Sequence, residues 1–314
     1  MTAPPSRAEI AATARLVEGH VRRTPVIEVE RRLVPHRGRL SLKLELLQVS
    51  GTFKARGAYA TLLSQPVPAA GVVAASGGNF GVAVAYAAHD LGHAATVFVP
   101  RTAPPAKADR LRALGADVQA VGERYADALA ASIEHAAATG ALFAHAYDQP
   151  LVVAGAGTCA LEVADQEPTA DTVVVAVGGG GLLGGFASWY RDDVRLVAVE
   201  TDRTPTLRSA LDAGEPVDVA VGGIAASALG ATRIGTIGFT AARQWVDEAL
   251  LVGDDDVVAA QRWLWDELRV VAEPGGATAL AALLSGAYRP KPDEHVVVLV
   301  CGANVDPGSV APAG

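Results

Sequence analysis

Lys54 stands in "SGTFKARGA", after a small, turn-prone stretch and a phenylalanine, at the start of what reads as a helix. Only four of the 26 basic side chains are lysines, at positions 43, 54, 107 and 291, so a lysine placed here draws the eye. A buried lysine loses charge through desolvation, and the neutral amine is the form that condenses with aldehydes. A second chemical feature is the run Gly178, Gly179, Gly180 and Gly181, which follows a valine-rich strand pattern and precedes a helix pattern. Bare backbone N–H groups at a helix N-terminus converge on anions, phosphate above all.

Two cofactors would use such a loop. Gly179, Gly181 and Gly184 satisfy G-x-G-x-x-G, and Glu200 ends the next strand about where a ribose-binding acid belongs, which suits a dinucleotide. Pyridoxal phosphate needs both a phosphate cradle and a Schiff-base lysine. Lys54 favours the second, because a dinucleotide enzyme gives "SGTFKARGA" no task.

The elements that must position these residues follow an alternating rhythm. Short apolar runs at Val72 to Ser76, Ala95 to Pro100, Asp117 to Val121, Thr172 to Val177, Arg195 to Glu200 and His295 to Gly302 are separated by longer alanine-rich amphipathic stretches. That is the pattern of an α/β chain whose parallel strands are buried on both faces by crossover helices. At 314 residues, half of them hydrophobic, the chain is long enough to divide its core between two domains. The stretches at Ser64 to Gly71 and Ala146 to Pro150 are the expected crossings. They set an inserted small domain at residues 66–147 between the two parts, 1–65 and 148–314, of a larger one.

Composition narrows the function class. A net charge of −8 without long runs of either sign gives no nucleic-acid footprint and no anionic-membrane anchor. The 19 uncharged residues between Asp171 and Arg191 include six glycines, so they read as strand, loop and helix start rather than a membrane span. Two cysteines, Cys159 and Cys301, make no disulfide framework, and the N-terminal residues lack a signal-peptide core, so the cytoplasm is expected.

Six segments, "KLELLQVSGTFKARGA", "ASGGNFGVAVAYAA", "AGAGTCALEV", "AVGGGGLLGG", "AEPGGATALAALL" and "LVCGANVD", occur in the order and approximate spacing of the serine/threonine dehydratases and serine racemases. The chain resembles these fold-type II pyridoxal-phosphate enzymes, of tryptophan synthase beta-like fold, from about Arg22 to Asp306. The resemblance implies two domains, each with a parallel-rich twisted sheet flanked by helices, and a small mobile domain that closes over an amino-acid substrate, usually in a homodimer. It implies that Lys54 holds the cofactor and acts as base at Cα, that Phe53 packs near the ring, and that Gly178 to Gly181 bind the phosphate. Asn79 would meet the ring hydroxyl, and Ser76, Gly77 and Gly78 would join it in receiving the substrate carboxylate. Gly223 would lie against the ring, and Cys301 would face the pyridine nitrogen. Glu273 occupies another family motif position. Locally, Asn79 and Glu273 also read as ordinary helix-start residues.

The implied activity is conversion of an L-3-hydroxy amino acid, L-threonine or L-serine, to a 2-oxo acid and ammonia. A racemase or a β-replacement synthase of the same fold is the nearest alternative, and an NAD enzyme the different-cofactor one. The chain departs from the family at Phe80, often histidine, at Ala156, often glutamine, and at Tyr147, often smaller. These departures suit a pocket that accepts another 3-hydroxy amino acid, including a β-aryl serine. Little sequence follows "CGANVD", so no C-terminal regulatory domain is expected. Glu200 matches one ligand of the metal-activated members, but Thr206 stands where a second belongs and Asp202 is offset, so a weak or absent cation site is expected. Gly77 stands where the racemases carry a serine that protonates the face opposite the lysine.

Overall fold

The computed structural model describes residues 3–34 and 38–310. Its strands, in chain order, are β1 (Val26–Val29), β2 (Arg39–Lys43), β3 (Val72–Ala75), β4 (Ala95–Val99), β5 (Asp117–Ala120), β6 (Leu142–Ala144), β7 (Thr172–Ala176), β8 (Arg195–Thr201), β9 (Glu248–Val252) and β10 (His295–Leu299). They form a six-stranded sheet, β1-β2-β10-β7-β8-β9, and a four-stranded sheet, β5-β4-β3-β6. Among these strands only the β1–β2 pairing is antiparallel. The four strands of the smaller sheet are consecutive in sequence, whereas the larger sheet draws strands from either side of them.

Register follows burial. Leu42, Val298, Val174 and Val197 line up across the centre of the large sheet, each fully buried. β-branched residues on such strands pack against helices on both faces, which is why β7, β8 and β10 read as near-continuous apolar runs. The segment between Asp171 and Arg191 resolves into β7, a glycine loop and the helix Gly181–Tyr190. Among the described residues no helix is long and apolar enough to cross a membrane.

Three helices fix the lysine relative to the glycine loop. The helix Lys54–Leu63 packs on the helix Pro150–Gln166, which packs in turn on Gly181–Tyr190. A Cβ at Gly155 would lie 2.6 Å from the Arg56 carbonyl oxygen, and one at Gly185 would lie 2.4 Å from the Gly157 nitrogen. Both helix crossings are thus backbone-to-backbone contacts that any side chain would push apart. The Lys54–Leu63 helix also serves the smaller sheet, because its Ala58, Tyr59 and Leu62 share a core with Val72, Ala74 and Phe80.

A buried ionic cluster anchors the same helix. Arg56 is fully buried and reaches Glu45 through Nε at 2.5 Å and Nη2 at 3.0 Å, while its Nη1 reaches Glu162 at 2.8 Å. Lys43 Nζ donates to Thr24 O at 2.9 Å, Glu162 at 2.7 Å and Gln166 at 2.8 Å.

Candidate active site

Lys54 is the first residue of its helix, with Phe53 as N-cap, and its side chain enters a cavity of about 330 Å³ between the two sheets. Among the described residues its Nζ makes one hydrogen bond, to Ala146 O at 2.8 Å, and it lies 5.1 Å from the Phe53 ring centroid and 5.8 Å from that of Phe80. Burial pushes the amine down to about 8, against the opposing pull of Cys301 and Glu273. The same cavity is lined by Ser76, Gly77, Gly78, Asn79 and Gly179, so the structure gathers residues from three separate sequence motifs around one amine.

Local structure explains the loop before Asn79. β3 ends at Ala75, the Ser76 hydroxyl accepts the Gly78 amide at 3.2 Å, and the helix Asn79–Asp90 begins with Gly78 as N-cap. Asn79 therefore does not cap its own helix. Its Nδ2 donates to Glu273 Oε1 at 2.6 Å, and its Oδ1 accepts from Asn304 Nδ2 at 2.7 Å. Glu273 in turn is the N-cap residue of the helix Pro274–Leu284 but makes no side-chain cap; its carboxylate is spent on Asn79 instead. Burial pushes Glu273 up to about 7, opposed by the Asn79 hydrogen bond and by the charges of Arg110, Lys107 and Lys54.

The glycine loop is pinned by its oxygens. Gly178 O accepts the Thr206 hydroxyl at 3.0 Å, Gly179 O the Gly235 amide at 3.0 Å, and Gly180 O the Gly184 amide at 2.8 Å. The amides are the groups left to converge on an anion. Gly180 sits at φ +85°, a conformation that costs other residues dearly. A Cβ at Gly179 would lie 2.3 Å from Tyr147 Cγ, so the cradle exists only without a side chain there. Tyr147 is held by its hydroxyl on Arg233 O at 3.2 Å. Its turn is organised by His145 Nδ1, which accepts the Asp148 amide at 3.0 Å, and by Asp148, which accepts the amides of Thr236 and Ile237, both at 3.0 Å.

Other expected residues fall as follows. Phe53 and Gly181 line a small gap beside Lys54. Cys301 is buried two residues beyond β10, where its Sγ donates to Gly275 O at 3.4 Å, and burial pushes its thiol well up. Gly223, at φ +73°, lies beside Asp254 and Arg203, next to the segment Ala226, Ser227, Ala228, Gly230 and Ala231 that lines the cavity. The sequence reading also missed Lys107 and Tyr125 at the cavity, and Asn304, although "CGANVD" contains it. Glu200 is occupied as a helix cap, its oxygens accepting Leu207 N at 2.7 Å and Arg208 N at 2.9 Å. Burial nonetheless pushes Glu200 up to about 7. Glu200 is buried and committed to the start of its own helix, which weakens the case for a dinucleotide.

The model of the pyridoxal-phosphate dependent enzymes matches residues 17–302. The chain belongs to that family. A phenylserine dehydratase of Ralstonia pickettii is 34% identical over 99% of this chain and 96% of its own length. A biosynthetic L-threonine dehydratase of Haemophilus influenzae is 39% identical over 77% of this chain, which spans only 48% of that protein. The chain thus covers about half the length of such biosynthetic relatives. Among solved structures, a threonine deaminase of T.th. superimposes with a TM-score of 0.89 at 33% identity, covering 96% of this chain and 99% of that one.

The residues present fit pyridoxal phosphate. A desolvated amine and a side-chain-free loop with its carbonyls already engaged are the groups that a Schiff base and a phosphate require. Lys54 would be the residue to hold it covalently, and Gly178 to Gly181 those to hold its phosphate.

Proposed function

We propose that the chain is a dehydratase, or ammonia-lyase, that converts L-threonine and L-serine to a 2-oxo acid and ammonia. The observation that carries this reading is the convergence on one cavity of the Lys54 amine, the Ser76–Asn79 loop and Gly179. Bound pyridoxal phosphate supplies an electron sink for the pair left when the Cα proton departs. Lys54, with an amine lowered to about 8 by burial, is the base that takes that proton near neutral pH. The amides of the Ser76–Asn79 loop receive the substrate carboxylate, and Asn79, with its amide fixed by Glu273 and Asn304, meets the ring hydroxyl. Cys301, kept neutral by burial, would be the partner of the ring nitrogen, and a neutral partner there suits elimination. Homodimeric assembly and a cytoplasmic setting belong to the same proposal.

A second substrate reading has its own support. The rings of Phe80, Tyr125 and Tyr147, with Pro100 and Pro104, give the cavity an apolar wall that suits a β-aryl side chain. The full-length likeness to a phenylserine dehydratase agrees with it. Assay of the purified holoenzyme with L-threonine, L-serine and a phenylserine tests both readings by 2-oxo acid release. The dehydratase reading expects 2-oxo acid from L-threonine or L-serine. Turnover of phenylserine alone selects the second reading, and product formed only when a thiol or amine nucleophile is added overturns both in favour of a β-replacement synthase.

Racemisation requires a proton donor on each face of Cα, and Gly77 offers none on the face opposite Lys54. A Cβ at Gly77 would sit 3.5 Å from Val99 Cγ1 and 3.9 Å from Ala103 Cβ, ordinary contacts on unstrained backbone. Gly77→Ser is therefore expected to fold normally and to form D-serine from L-serine at a rate measurable by chiral chromatography. The unsubstituted enzyme is expected to form little. Equal D-isomer and 2-oxo acid rates in the unsubstituted enzyme would refute this.

A further inference from the structure

Arg110, on the helix Pro105–Ala113, donates through Nη2 to Asn304 Oδ1 at 2.7 Å. Asn304 Nδ2 donates to Asn79 Oδ1 at 2.7 Å, and Asn79 Nδ2 donates to Glu273 Oε1 at 2.6 Å. The chain of bonds begins on a guanidinium, which has no acceptor, and ends on a carboxylate, which when ionised has no donor. Its two amides can therefore point only one way. Reversal would set the Asn304 amide donors against Arg110 and the Asn79 oxygen against Glu273. Room for the relay is built into the backbone: a Cβ at Gly51 would lie 2.6 Å from Asn304 Oδ1, and one at Gly302 would lie 2.1 Å from Glu273 Oε1.

We infer that Arg110 is a positioning residue, the fixed donor end of a one-directional relay that holds the Asn79 amide with its N–H groups toward Glu273 and the cofactor's ring hydroxyl. This rests on the assignment of Asn79 to that hydroxyl. Arg110 touches neither substrate nor cofactor in this role; it acts through Asn304, and it ties a helix beside the smaller sheet to the segment after β10.

The relay's second end is conditional. A protonated Glu273 can donate, so it tolerates a reversed Asn79, and only Arg110 then keeps the direction. Glu273 is buried and pushed up to about 7, and the charged or titratable groups facing it are Arg110 and Lys107 from one helix, Lys54 from another and Cys301 beyond β10. Loss of the Arg110 charge raises Glu273 further, which moves the reversal window to higher pH. Without Arg110, the amide direction is held above that window and released as pH falls through it.

The test compares holoenzyme absorbance and pyridoxal-phosphate dissociation between pH 6 and 9. Arg110→Leu is expected to melt with the unsubstituted protein, because Arg110 is exposed, yet to show a cofactor band with a pH dependence added to that of the unsubstituted protein. Its cofactor binding at the acid end is expected to weaken about three- to tenfold, the effect of one hydrogen bond. The added pH dependence should vanish in Arg110→Leu/Glu273→Gln, whose terminal amide cannot titrate. Curves for Arg110→Leu that superimpose on the unsubstituted protein overturn the relay, as does a pH dependence that persists in the double variant. Asn79→Ala separates the layers: an unchanged spectrum there overturns the ring-hydroxyl assignment itself, whereas a changed one alongside an unaltered Arg110→Leu overturns the relay alone.

Discussion

Lys54→Ala is expected to lower turnover by at least about 1000-fold, since it removes both the covalent attachment point and the base at Cα. The comparison of lysines explains why no other residue will substitute. Lys43 is buried, but its three N–H donors are all spent on Thr24, Glu162 and Gln166. Lys291 is exposed, and Lys107 lies at the cavity wall on a separate helix. Lys54 makes one hydrogen bond to a carbonyl and is lowered by burial to about 8, so a substantial neutral fraction exists near neutral pH. Borohydride reduction of the holoenzyme followed by peptide mapping should place the pyridoxyl group on Lys54. A label on Lys107, or turnover by Lys54→Ala within tenfold of the unsubstituted enzyme, overturns the assignment.

How much of this was legible in the sequence depended on whether the signal was local. Each of the six apolar runs coincides with a strand; five are central strands covered on both faces and so almost wholly apolar, whereas β5 is an exposed edge strand found by its position between two helical stretches. The strands not foreseen are of another kind. β1 and β9 lie at sheet edges and are only partly buried, β6 has three residues, and β2 carries Arg39 and Lys43 within its five. Short, edge or charge-bearing strands are specified by their partners, which sequence order does not reveal. The site divides in the same way. Lys54 and the four glycines stand out by residue type and local pattern. Asn79 and Glu273 are 194 residues apart and each resembles a local cap, so their mutual hydrogen bond emerges only when the end of β3 meets the start of the helix Pro274–Leu284.

The lysine's helix depends on charges that the cavity never touches. Arg56, two positions after Lys54, bridges Glu45 and Glu162 in a setting from which all three side chains are largely excluded from water. Removing one partner of a buried ion pair strands the others, at a cost of about 3 to 5 kcal/mol. Arg56→Met keeps much of the side-chain volume and removes the charge, leaving Glu45 without a bidentate partner. At roughly 2 to 4 °C per kcal/mol for a domain somewhat smaller than this chain, the melting temperature should fall by at least about 6 °C. The effect should depend on pH in a defined direction. Burial raises the Glu45 carboxyl, but Arg56, with help from Thr24 and Lys43, holds it below its ordinary value of 4.5. A group depressed on folding contributes stability above its unfolded pKa and loses it as pH falls through the folded one, so the unsubstituted protein keeps this contribution at neutral pH and loses it in acid. In Arg56→Met the stranded carboxyl is raised instead, so acidification should narrow the gap between the two proteins. Pairing the change with Glu45→Gln should recover part of the loss at neutral pH, since an amide costs less to bury than an unpaired carboxylate. Equal melting temperatures for Arg56→Met and the unsubstituted protein at pH 7 would mean that close packing at Gly57 and Gly155, rather than the ion cluster, holds Lys54 in place.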